Sequence, residues 1–101
     1  HPVDNDQLIA YSKQTPDGTN VILVVVNLSP HHIHSGWLEL DLAALGLQND
    51  RPFQVHDLLT HAYYLWQGPR NYVQLDPHSV PVQIFAVRRN MRREQDFDYF
   101  L

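Results

Sequence analysis

The sequence predicts an all-β fold: an antiparallel β-sandwich of about seven to eight strands with at most one short helical turn. Three observations carry that prediction. Short runs rich in Val, Ile, Leu and aromatic residues recur along the chain, turn formers such as Asp17-Gly18, Gly68-Pro69 and Asp76-Pro77 separate them, and a single stretch, Asp41 to Gly46, reads as helix. At 101 residues and 44% hydrophobic composition, the chain is long enough for one domain with its own core and too short for two ordinary ones.

Gln7 to Gln14 (QLIAYSKQ) is the first expected strand, and Asp17-Gly18 in TPDGTN is a strong hairpin signal leading into a second, Val21 to Leu28. Residues 36–40 (GWLEL) form a third. Asp41 supplies an N-cap and Gly46 a left-handed C-terminal stop for one helical turn. Phe53 to Leu59, Tyr63 to Gln67, Asn71 to Leu75 and Val82 to Arg88 complete the strands. Residues 1–90 thus make the sandwich, and residues 91–101 are expected to be a docking tail.

The second strand is unusual. A half-solvated strand alternates apolar and polar residues, yet here Val21, Leu23 and Val25 point one way while Ile22, Val24, Val26 and Leu28 point the other. Both faces are built to leave water. One meets the sandwich core; the other needs a cover, either this chain's own loops and tail or another domain. Ile22, Val24 and Val26 are therefore the expected interdomain packing residues.

Charge narrows the partners. Eleven acidic residues against seven Lys and Arg give a net charge of −4, which disfavours an electrostatic nucleic-acid binder and leaves no basic face for an anionic membrane. No apolar run approaches the roughly 20 residues that cross a bilayer. The chain has no cysteine, hence neither a disulfide framework nor a thiolate site, and it reads as cytoplasmic. His1 is not a natural start, so a fragment of a longer polypeptide is expected.

The residues with chemical potential each have a plain structural use. His31, His32 and His34 follow Ser29-Pro30, which breaks the strand, so they are expected on a loop without the spacing of a zinc site; no metal and no cofactor is expected. Most aspartates sit beside turn formers. Asp57 differs, lying in an apolar strand beside His56, either as a carboxylate stabilising a corner through backbone or hydroxyl groups such as Thr60, or as half of an acid–base pair. Adjacent strand residues point to opposite faces, which favours the corner. No serine has a nucleophile-elbow context, so no catalytic residue is assigned. Trp37 and Trp66 are the weak candidates for binding carbohydrate, against the ordinary use of aromatics as sandwich packing.

Longer stretches carry a resemblance. AYSKQTPDGTNVILVVVNLSPHH, SGWLELDLAALGL, FQVHDLLTHAYYLWQGPRNYVQLDP and PVQIFAVRR together resemble the C-terminal β-sandwich of glycoside hydrolase family 13, the α-amylase family, closest to its maltosyltransferase branch. The likeness covers nearly the whole chain, including DNDQ at residues 4–7 and EQDFDYFL at residues 94–101.

The resemblance implies a parent that is a retaining glycosyltransferase, moving maltosyl units from maltose 1-phosphate to α-1,4-glucans in glycogen or α-glucan synthesis. Its chemistry would lie in a (β/α)₈ barrel, which needs about 250 residues and cannot be housed in this chain. The implied partner is that catalytic barrel of the same polypeptide, with α-glucan as the candidate ligand and a homodimer as one form of the parent. The alternative parents that the resemblance implies are a trehalose synthase or a hydrolytic α-amylase, whose terminal sandwiches look similar. An independent carbohydrate-binding module remains the alternative role.

The last stretch, NMRREQDFDYFL, places Phe97, Tyr99, Phe100 and Leu101 at the end of the chain. Large apolar side chains left in water forgo about 1.5 to 3 kcal/mol each. Phe97, Tyr99 and Phe100 are therefore expected, like Ile22, Val24 and Val26, to be interdomain packing residues: in the full-length parent the tail packs on the barrel or a neighbouring domain, and in this chain alone it covers part of the exposed sandwich face or pairs with another copy.

Overall fold

A computed structural model describes residues 1–89. Seven strands are present: β1 (Leu8–Gln14), β2 (Val21–Asn27), β3 (His34–Glu39), β4 (Phe53–Asp57), β5 (Tyr63–Trp66), β6 (Arg70–Leu75) and β7 (Val82–Arg89). They form an antiparallel five-stranded sheet, ordered β1-β2-β7-β4-β5, and a two-stranded sheet of β3 and β6. The sandwich expected from the sequence is borne out.

Alternation decides which side chains fill the space between the sheets. Leu23 and Val25 of β2, Phe53 and Val55 of β4 and Phe85 of β7 project inward from the large sheet, against Leu38 of β3 and Leu75 of β6 from the small one. All seven are essentially solvent-free, and at about 1.5 to 3 kcal/mol per large apolar side chain they dominate the favourable side of folding.

Leu40, Leu42, Leu45 and Leu47 are also buried in the core. Their backbone follows the expected single turn. The Ala44 N–H donates to Asp41 Oδ1 at 3.2 Å, and the Leu45 N–H to the Asp41 carbonyl at 3.2 Å. The turn ends when Gly46 adopts φ +72°, with the Gly46 N–H bonded to the Ala43 carbonyl and the Leu47 N–H to the Leu42 carbonyl. This helix-stop arrangement also brings Leu42 and Leu47 together in the core.

Several strand limits differ from expectation for local reasons. β2 ends at Asn27 rather than Leu28, because the Asn27 side chain turns inward to bind backbone. β4 stops at Asp57 rather than Leu59, because Asp57 caps the turn that follows. β3 begins at His34, two residues early, because the His34–Leu75 pairing extends the ladder with β6. β1 starts one residue late at Leu8, β5 ends one residue early at Trp66, and β6 and β7 each gain one residue at an end, at Arg70 and Arg89.

Candidate functional site

The outer face of the large sheet is built by the residues between the core positions. Cross-strand register sets Ile9 of β1 beside Val26 of β2, Tyr11 beside Val24 and Lys13 beside Ile22. The same rows continue into β7, with Val82 beside Val26, Ile84 beside Val24 and Ala86 beside Ile22. Beyond β7, His56 of β4 pairs with Ala86 and with Tyr63 of β5, and Gln54 with Leu65. β1, β2, β5 and β7 thus present apolar groups outward, interrupted by Lys13 of β1, by Gln54 and His56 of β4, and by the exposed Arg88 of β7 that pairs with Gln54.

Burial along β2 shows the asymmetry. Val21, Leu23, Val25 and Asn27 are buried, while Ile22, Val24 and Val26 are half-buried by their sheet neighbours alone. The core therefore takes the Val21 face, and the Ile22 face is the one without a covering layer among the described residues. Leu65 is 68% exposed, and Ile9, Tyr11 and Tyr63 are likewise exposed. Patches of this kind mark interaction surfaces. Of the described residues on this face only Ile22, Val24 and Val26 were expected from sequence; the apolar run Leu8-Ile9-Ala10-Tyr11 was the signal for Ile9 and Tyr11. Phe97, Tyr99 and Phe100 lie outside the described residues.

His56 sits within this face. Its ring stacks on Tyr63 at 4.1 Å and 8° between planes, and both ring nitrogens are buried with no hydrogen-bond partner among the described residues. Asp57 points the other way and is fully buried. Its Oδ1 accepts the N–H groups of Leu59 at 2.9 Å and Thr60 at 3.2 Å, and its carbonyl accepts the His61 N–H at 2.8 Å. His61 takes φ 65° in this turn. Asp57 is a corner residue, and no His56–Asp57 pair forms because a strand puts neighbours on opposite sides.

The histidine cluster divides. His31 and His32 are exposed in the β2–β3 loop, but His34 is not on the loop as expected. It opens β3, with Asn5 Nδ2 at 3.2 Å from its Nδ1, and Asn5 Nδ2 also donates to the Ser35 carbonyl at 3.0 Å. The described residues hold no group of three or more His, Cys, Asp or Glu side chains arranged to bind a metal ion.

The two tryptophans separate as well. Trp66 faces inward, edge-on to Phe53 at 6.3 Å and to Phe85 at 5.4 Å, partly buried against the core. Trp37 stands on the outer face of the small sheet, 42% exposed, edge-on to Tyr72 at 5.4 Å with the Arg70 guanidinium 5.3 Å from its ring centre. They share no single binding platform. Arg70 also pairs with Glu39 at 3.2 Å and Asp4 at 3.9 Å, so these carboxylates serve as exposed ion-pair partners. Asp4 Oδ1 further accepts the Trp37 N–H at 2.7 Å, which fastens the N-terminal segment along β3.

A small antiparallel sandwich with one apolar sheet face left without a covering layer among the described residues has the character of an accessory β-sandwich module. Residues 1–87 match the family described as "GLGE, C-terminal", and the chain belongs to that family. It is 39% identical over 97 residues to an α-1,4-glucan:maltose-1-phosphate maltosyltransferase of Myxococcus xanthus, covering 96% of this chain and 14% of the relative. It is 47% identical over 89 residues to maltosyltransferase 2 of Streptomyces coelicolor, covering 88% of this chain and 13% of the relative. A Chlorobaculum tepidum maltosyltransferase is 42% identical over 84 residues, covering 83% of this chain and 12% of the relative. The chain spans about one seventh of the length of these relatives or less.

Proposed function

We propose that this chain is the non-catalytic C-terminal β-sandwich of a maltosyltransferase of glycoside hydrolase family 13, docked through the outer face of its large sheet onto the catalytic barrel of the same polypeptide. The parent would transfer maltosyl units from maltose 1-phosphate to α-1,4-glucans, in the cytoplasm. The reading rests on family membership together with the share of the relatives that the chain spans. One structural observation supports the docking: Ile22, Val24 and Val26 lie in the middle of an apolar patch, between Ile9 and Tyr11 of β1 and Val82, Ile84 and Ala86 of β7. In this proposal Phe97, Tyr99 and Phe100 extend the same contact. A module that covers that face stabilises the barrel by removing apolar area from water, at about 25 cal/mol for each Å² buried.

Leu65→Asp tests the docking, because Leu65 is exposed on this face. In the isolated 101-residue chain the substitution should change stability by no more than about 0.5 kcal/mol, the usual range for a surface site. In the full-length enzyme, where Leu65 is proposed to be buried, it should cost roughly 1 to 3 kcal/mol and lower the thermal midpoint of the whole protein. Equal small effects in both settings would remove this face from the interface.

A further inference from the structure

We propose that a second site, an uncharged aromatic cleft on the core side of the large sheet, binds one hexose ring of an α-glucan. The cleft has a volume of about 230 Å³ and opens between β5, β6 and β7, lined by Tyr64, Trp66, Tyr72, Gln74, Gln83 and Phe85. Three observations identify its ligand. No lining residue carries a charge, which selects a neutral molecule over a phosphate or carboxylate. Tyr64 and Trp66, which share the inward side of β5 with their partners Val55 and Phe53, supply aromatic surface with polar edges, the combination that receives the C–H faces of a sugar ring while its hydroxyls remain hydrogen-bonded. Gln83 Oε1 is buried and has no hydrogen-bond partner among the described residues, although buried polar atoms are normally paired. A ligand hydroxyl donating to that oxygen supplies the missing bond.

Size limits the occupant. The cleft is smaller than the roughly 300 to 1,000 Å³ of sites for drug-sized ligands, so it holds a single ring of a longer chain. The inward direction of Gln83 and Phe85 sets the cleft on the opposite side of the sheet from Ile84, so a ligand there and a domain docked on the outer face do not compete. The choice of an α-linked glucan, rather than another neutral sugar, rests on the proposed parent activity.

Trp66 reports binding directly once Trp37→Phe leaves it as the sole tryptophan of the 101-residue chain. Titration of that variant with maltotriose should change Trp66 emission saturably, with a dissociation constant on the order of 1 mM. Gln83→Leu and Tyr64→Ala, each added to it, should weaken binding at least about fivefold. Gln83→Leu keeps the side-chain shape and removes an unpaired buried oxygen, so its thermal midpoint should hold. Absence of a saturable response, or saturation that neither substitution alters, would overturn the proposal. Neither result bears on the docking test, which is read from Leu65 in the full-length enzyme.

Discussion

Asn27 and Leu75 tie the two sheets together: the Asn27 Nδ2 at the end of β2 donates to the Leu75 carbonyl of β6 at 3.0 Å. The same amide group donates to the His32 carbonyl at 3.0 Å, and Asn27 Oδ1 accepts the Ser29 N–H at 2.9 Å. One buried side chain thus serves the large sheet, the small sheet and the loop between them. Asn27→Ala leaves these backbone groups without their partner and should cost about 2 to 4 kcal/mol. A urea transition at the wild-type midpoint would show that the tie carries no stability.

Gly36 allows the N-terminal segment to lie against β3. A Cβ at this position would fall 2.6 Å from Asp4 Oδ1 and 3.1 Å from Val3 Cγ1. Gly36→Ala should therefore displace residues 3–5 and break the bond from the Trp37 N–H to Asp4 Oδ1, at a cost of about 1 to 3 kcal/mol. Hydrogen exchange reads this locally: the Trp37 amide should lose protection while the Leu23 amide, deep in the large sheet, keeps it.

Asp57 holds the β4–β5 corner through its Oδ1, which Asp57→Asn preserves and Asp57→Ala removes. Alanine should cost roughly 2 to 4 kcal/mol, by stripping the Leu59 and Thr60 N–H groups of their acceptor. Asparagine should cost markedly less, since its amide oxygen can take over from Oδ1. Equal losses in both variants, measured by thermal unfolding, would mean that the negative charge rather than the acceptor stabilises the corner.

Asp17 in the β1–β2 turn is held below the usual carboxylate range, from 3.8 down to about 2, first by the hydrogen bond from the Thr15 hydroxyl and then by those from the Thr19 N–H and hydroxyl. The folded state prefers the ionised form, so this contribution is fully present above pH 3.8 and fades as the pH falls toward 2. Carboxyl-carbon NMR should find Asp17 titrating near 2, and Thr15→Val should move it back toward 3.8 by removing the strongest of these bonds. An unchanged titration in Thr15→Val would assign the shift to another cause.

Local chemistry was legible in the sequence because it acts over a few residues. The Asp17-Gly18 hairpin, the Asp41 cap with its Gly46 stop and the strand alternation that separates His56 from Asp57 all follow from backbone preferences that neighbours in sequence dictate. So did the two-sided hydrophobicity of β2, and with it the need for a cover. The expectation that Ile22, Val24 and Val26 would be the outer, packing residues had no support in these side chains themselves, since Val21-Leu23-Val25 and Ile22-Val24-Val26 are chemically equivalent. The tertiary structure decided it: Asn27 shares the Val21 face and reaches the backbone of β6 and the following loop only from inside the sandwich. The fates of the two tryptophans were decided in the same way. Trp37 and Trp66 look alike as strand aromatics, yet Gly36 and Leu38 turn inward and leave Trp37 in water, while pairing of β5 with β4 directs Trp66 onto Phe53 and Phe85. A strand's alternation is a local property. The side that meets the other sheet depends on contacts between residues far apart in sequence, and period-two patterning alone does not specify them.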